Sequence, residues 1–137
     1  MTLKSKNCTN ILAPVSLGEL IDKITILEIK KMHMTGIKLK NVDKELKLLK
    51  CILEETNLEI NMDLIKSLKE VNNNLWTIED EIRLKESNQK FDKRFIELAR
   101  SVYKENDRRA SIKKEINQKY NSELIEEKSY HDYDSQI

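Results

Sequence analysis

The stretch Met62–Ser87, MDLIKSLKEVNNNLWTIEDEIRLKES, decides the fold. Its apolar residues Leu64, Leu68, Val71, Leu75, Ile78 and Ile82 step by 4, 3, 4, 3 and 4. On a helix of about 3.6 residues per turn this is one continuous seam. Heptad spacing held over that length requires coiled-coil-like packing against another long helix. Asn72, Asn73 and Asn74 are poor helix formers at its centre. Asn72 and Glu79 flank the seam, where they read as a polar rim or as hydrogen bonds setting the register between helices. Trp76 lies off the seam, better placed for lateral packing or an oligomer contact than for stacking a ligand.

The partner that this seam needs follows after a polar connection, Asn88–Lys90. Asp92 is placed to cap a helix running to Tyr120, with Phe95, Leu98, Ala99, Val102, Ile116 and Tyr120 on one face. That stripe is interrupted by Lys104-Glu105-Asn106-Asp107-Arg108-Arg109, and Asn106, Arg109 and Lys113 fall on the same face. An unpaired buried charge costs several kcal/mol. Either a carboxylate from another element meets Arg109, or this face lines a cleft that receives an anion.

Upstream, Ser16-Leu17-Gly18-Glu19 reads as a capping box, with Val15 and Leu20 as its hydrophobic staple. The first helix is expected to run from there to about Thr35 and stop at Gly36. Leu17, Leu20, Ile21, Ile24 and Leu27 make its main stripe, while Ile26 and Ile29 lie on the other side. Such a helix is central or buried by a partner chain. A second helix is expected over Asn41–Glu55, with Val42, Leu46, Leu49 and Leu53 on its seam. The organisation expected is an irregular arm over residues 1–14, a helical bundle over 15–121 and an acidic, partly ordered tail over 122–137. An antiparallel bundle of about four helices, or a long hairpin completed by a dimer partner, fits these lengths.

Composition agrees. Two glycines and one proline in 137 residues, 36% charged and 39% apolar side chains, point to an all-α protein. A net charge of +1 supplies no global field for nucleic acid or a membrane, although lysines crowd Lys30–Lys50 and acids crowd Glu123–Asp134. Cys8, Cys51, His33 and His131 are too scattered for a structural zinc site or a disulfide framework. No signal peptide or apolar run of about 20 residues is seen, so a cytoplasmic setting is the expectation.

Glu28 breaks the stripe of the first helix and is the first candidate partner for Arg109. The alternative is an anion-binding cleft in which Arg100, Arg108, Arg109 and Lys113 offer contacts to phosphate or carboxylate. Glu79-Asp80-Glu81 hints at a divalent metal. The all-α nucleotide pyrophosphohydrolases place a Glu-x-x-Glu pair before a Glu-x-x-Asp pair. Here Glu19 and Asp22 have the second form, but Glu123 and Glu126 come much later, in the wrong order. Neither a metal nor a cofactor is expected. No nucleophile elbow, P-loop or Gly-rich phosphate motif exists.

Pro14-Val-Ser-Leu-Gly-Glu-Leu-Ile-Asp-Lys-Ile-Thr-Ile-Leu-Glu-Ile-Lys30 resembles the opening signature of an uncharacterised family, a domain of unknown function, of small bacterial and bacteriophage proteins. Further matching pieces are Leu98-Ala-Arg-Ser-Val-Tyr103, Asn106-Asp107 with Arg109-Ala110, and Glu126-Glu-Lys-Ser-Tyr130. The resemblance spans roughly Pro14 to Tyr130. It implies Glu19, Asp22, Lys23, Glu28, Asn106, Asp107 and Arg109 as signature polar positions, and a setting in surface-polysaccharide assembly or phage infection, but no activity. The reading is a homodimeric interaction or accessory module, with no membrane partner. The alternative is a binding protein or enzyme for an anionic metabolite such as a nucleotide sugar or sugar phosphate. Its ligand would be held by Glu28, Arg100, Asn106, Asp107, Arg108, Arg109 and Lys113.

Overall fold

A computed structural model describes residues 9–133. They form four α-helices and no strand: α1 Leu17–His33, α2 Gly36–Glu55, α3 Met62–Ser87 and α4 Lys93–Lys119. The chain is all-α, with bundle-like packing. Cys8 lies outside the described residues, and Cys51 is exposed. Among the described residues no helix is long and apolar enough to cross a membrane.

Helix α1 is the centre, because it packs against α2, α3 and α4 while α2 touches α1 alone. Pairs along the interfaces set the directions. Gly18, Glu19 and Asp22 of α1 meet Asn117, Lys113 and Arg109 of α4 in reverse order, so these helices are antiparallel. Asn74 with Glu105 and Glu81 with Arg94 make α3 and α4 antiparallel as well. The long α3 seam has found its partner: Leu68, Val71 and Leu75 are buried on one side of that hairpin, and Leu98 and Ile116 on the other. Ala99, expected on the buried face, is exposed.

The ends of the helices follow their local chemistry. Asp92 accepts the Phe95 N–H and caps α4, and Asn61 accepts the Asp63 N–H at the start of α3. Gly36 was expected to stop α1, yet α1 ends at His33 and α2 begins at Gly36 itself, five residues before the expected Asn41. The reversal is tight, and a φ of 65° at Gly36 explains why glycine stands there.

The start of α1 is more elaborate than a capping box. Ser16 Oγ accepts the Glu19 N–H at 3.1 Å. Asn117 Oδ1 accepts the Gly18 N–H at 2.6 Å, and Ser122 Oγ accepts the Leu17 N–H at 3.1 Å. Three donors that a helix start leaves unpaired are thereby satisfied, two of them by distant residues. The Glu19 carboxylate turns to Lys113 instead. Gly18 permits this contact: a Cβ there would stand 2.6 Å from the Lys113 carbonyl oxygen.

After Asn121 the chain runs back as a non-helical strap. Ser122 anchors it to α1, Glu126 to Lys113 and Glu127 to Lys114. Tyr133 meets Tyr103 edge-on with centroids 4.9 Å apart.

Candidate functional site

The interrupted stripe of α4 faces α1 and α3. Asp22, fully buried on α1, takes both the Nε and Nη2 donors of Arg109, the former at 2.9 Å. Asn72 Nδ2 of α3 donates to Asp22 Oδ1 and to Thr25 Oγ1, each at 2.9 Å. Thr25 Oγ1 in turn donates to the Asp22 carbonyl at 2.7 Å. The buried carboxylate therefore has charge and hydrogen-bond partners from two other helices, as a group removed from water requires. The hydrogen bonds to Asp22 push the Arg109 pKa above its ordinary value, against the desolvation that lowers it.

One turn along, Lys113 is buried between two carboxylates, Glu19 Oε2 at 2.6 Å and Glu126 Oε2 at 3.1 Å. Burial pulls its pKa down, but these hydrogen bonds and the charges of Asp22 and Glu19 outweigh it, so the net direction is upward. Hydrogen bonds from Lys128 and then Lys113 hold the Glu126 carboxyl below the usual carboxylate range. The acids Glu19, Asp22 and Glu126 thus come together, each met by an ammonium or guanidinium group.

Arg109 has a different partner from the one expected. Glu28 projects between α2 and α3, 3.9 Å from Lys50 Nζ and 3.7 Å from Lys69 Nζ. Asp22 lies six positions earlier and, on an antiparallel pair, on the stretch of α1 that α4 crosses at Arg109. Helical periodicity sets Glu28 with the main stripe and Asp22 on the other side with Ile26 and Ile29, but carries no information on which neighbour covers which side.

Beyond Asp22 a cleft of about 480 Å³ opens between α1, α3 and α4. Ile26, Ile29 and Leu75 give it an apolar lining, and Lys30, Arg83, Asp80, Asn106 and Arg109 border it. Trp76, stacked on His33 with centroids 4.6 Å apart, stands at the same cleft. Arg83 is 3.4 Å from Glu79, while Lys30 has no partner among the described residues. Arg109 also borders a smaller polar cavity with Lys113, Glu126 and Lys128.

Of the expected site residues, Asn106, Arg109 and Lys113 come together. Asp107 lies one position round α4, facing the strap. Arg108 pairs with Glu105 at 3.0 Å on the exposed side, Arg100 is exposed, and Glu28 serves α2 and α3. Asp22, Asn117, Lys30 and Arg83 were not among them. Asp22 had a signal, since it stands three residues from both Glu19 and Thr25 on the inner face; Lys30 and Arg83 had none beyond their charge. No group of three or more His, Cys, Asp or Glu side chains among the described residues is placed to hold a metal.

A family model described as Family of unknown function (DUF6165) matches residues 12–136. The chain belongs to this family. No curated protein and no solved structure shows a significant match to it. The DUF6165 domain thus covers all four helices and the strap, so the polar layer and the clefts beside it are features of the domain itself.

Proposed function

We propose that this DUF6165 protein is a small-molecule-binding module that holds an anionic ligand in the cleft between α1, α3 and α4. The observation that carries the reading is Arg109. Its Nε and Nη2 are locked on buried Asp22, and the residue borders an open cleft together with Asn106, Arg83 and unpartnered Lys30, and with the acids Glu79 and Asp80. A guanidinium held in one orientation loses little freedom when it binds an anion, and the N–H groups that Asp22 leaves over can donate to a carboxylate or phosphate oxygen. The apolar lining of Ile26, Ile29 and Leu75 takes the uncharged part of the ligand. A nucleotide sugar or sugar phosphate has this character, and would fit the setting in surface-polysaccharide assembly or phage infection that the family resemblance implies.

The test is a thermal-shift titration with inorganic phosphate, sugar phosphates, nucleotide sugars and dicarboxylates. A ligand at 100 times its Kd stabilises by about 2.7 kcal/mol, about 8 °C for a domain of this size. Lys30→Gln, which breaks no internal ion pair, should leave the melting temperature of the free protein unchanged and abolish the shift. Absence of a shift with every anion, or a shift that Lys30→Gln leaves intact, would falsify the reading.

The exterior of α2 favours a second role as an interaction module. Helix α2 touches only α1, and Ile37, Leu48 and Ile52 are exposed on it. Covering that side with a second copy gives the expected homodimer. The surface around Ile24–Ile29 no longer argues for one, since Ile24, Leu27 and Ile29 are buried within the single chain. Light scattering should give twice the chain mass, falling to one on Leu48→Glu with Ile52→Lys; a monomer at high micromolar concentration rules the dimer out.

A further inference from the structure

A second cleft, about 610 Å³, lies on the strap side of Asn106. We propose that it binds a planar nitrogen heterocycle of the nucleobase kind, stacked on tyrosine rings with an N–H edge turned to Asp107 and Asn106. This site does not rest on the anionic reading, because its other walls are different.

The wall on α4 carries Val102, Tyr103, Asn106 and Asp107; the strap contributes Tyr130 and Tyr133. The rings of Tyr103 and Tyr133 meet at 61°, which makes an aromatic corner, and Tyr130 is 78% exposed beside it. Tyrosines gathered at a cavity offer flat apolar faces that water covers poorly and that a ring can cover. The volume suits a nucleoside-sized molecule.

The polar groups narrow the class. Asp107 is exposed, and neither it nor Asn106 has a partner among the described residues. An ionised carboxylate only accepts, so the ligand must bring donors. Lys128 at this cleft is already 3.1 Å from Glu126 and lies 5.7 Å over the Tyr130 ring, and His131 on the strap is the other basic side chain that lines it. A pyranose carries hydroxyls around its whole rim, and those turned to Val102 and to the faces of the tyrosine rings would lose water without gaining a partner. A nucleobase keeps its donors on one edge and its faces free. Guanine, with a ring N–H beside an exocyclic amine, matches the two oxygens of one carboxylate.

The probes are uncharged nucleosides and glucose, added to the whole protein and followed by calorimetry and by backbone amide NMR shifts. Guanosine should bind most tightly, moving Val102–Asp107 and the strap around Tyr130. Tyr103→Ala should weaken it at least ten-fold, and Asp107→Asn should remove the preference for guanosine over the other nucleosides. Both side chains are substantially exposed, so circular dichroism melts should show the fold retained; Tyr130→Ser, at the most exposed ring, serves if Tyr103→Ala melts early. Lys30→Gln should leave nucleoside binding unchanged, which separates this site from the anion cleft. No binding at millimolar nucleoside, equal binding of glucose, or shifts confined to Lys30 and Trp76 would overturn the proposal.

Discussion

Helix α1 meets α2 and α4 by different means. Towards α2 it presents Leu20, Ile24 and Leu27, packed on Val42 and Leu46 with Met34, Leu49 and Leu53 around them. Towards α4 it buries Ile21 against Leu68 and Ile116, and beside that apolar contact Gly18, Glu19 and Asp22 engage Asn117, Lys113 and Arg109. The apolar side is adhesive and tolerates many geometries, because burial is non-directional. The polar side tolerates few: each hydrogen bond specifies a neighbour, and a slip of one residue strands a buried charge. The stickier side holds the helix pair together, and the polar side decides where α4 lies against α1. The clefts border the polar side, where geometry is held most tightly.

The contrast can be broken from either side. Arg109→Met leaves Asp22 fully buried without its cation, and should cost about 3 kcal/mol or more. Adding Asp22→Leu should restore most of that, since no charge is then stranded and Asn72 Nδ2 keeps Thr25 Oγ1 at 2.9 Å. The cycle is read by urea denaturation, and coupling near zero would mean that the pair does not hold α4 in place. Leu46→Ala, 4% exposed on the apolar side, should cost about 2–3 kcal/mol through its cavity. Unlike the changes at Arg109, it should leave anion binding in the cleft unaltered, because α2 contributes nothing to that lining.

A smaller change sharpens the same point. Alanine is the better helix former, so Gly18→Ala gains about 1 kcal/mol on propensity alone. Its Cβ would, however, stand 2.6 Å from a backbone carbonyl of α4, which cannot rotate away. Overpacking of this kind costs about 1–3 kcal/mol, and the expected net effect is a loss of about 1 kcal/mol in thermal unfolding. A stabilised variant would show that α1 and α4 do not approach so closely.

Much of the fold was legible along the chain. The heptad seam of Met62–Ser87 called for a long partner, and α4 with its Asp92 cap answers it. Asn72 was read as polar rim or as a hydrogen bond between helices, and its bonds to Asp22 and Thr25 make it the second. Less of the site was legible. Arg109 was recognised as a charge on an inward face, but its partner is Asp22 and not Glu28. Glu19 caps no backbone donor of its own turn in the expected way because Lys113, 94 residues later, competes for its carboxylate. A buried ammonium gains more from that carboxylate than an end-of-helix N–H does.

What the amino-acid sequence by itself determined is periodic: where helices run, which side of each is apolar, and that α4 carries cations into its own seam. Those properties depend on neighbours within a turn or two, and 3.6-residue spacing encodes them. Only the tertiary structure decided which acid meets which base, that α1 is central, and that Asn106 stands between two clefts. These depend on the crossing points of helices joined through long stretches of chain, and inward-facing positions on one helix are interchangeable until packing selects among them.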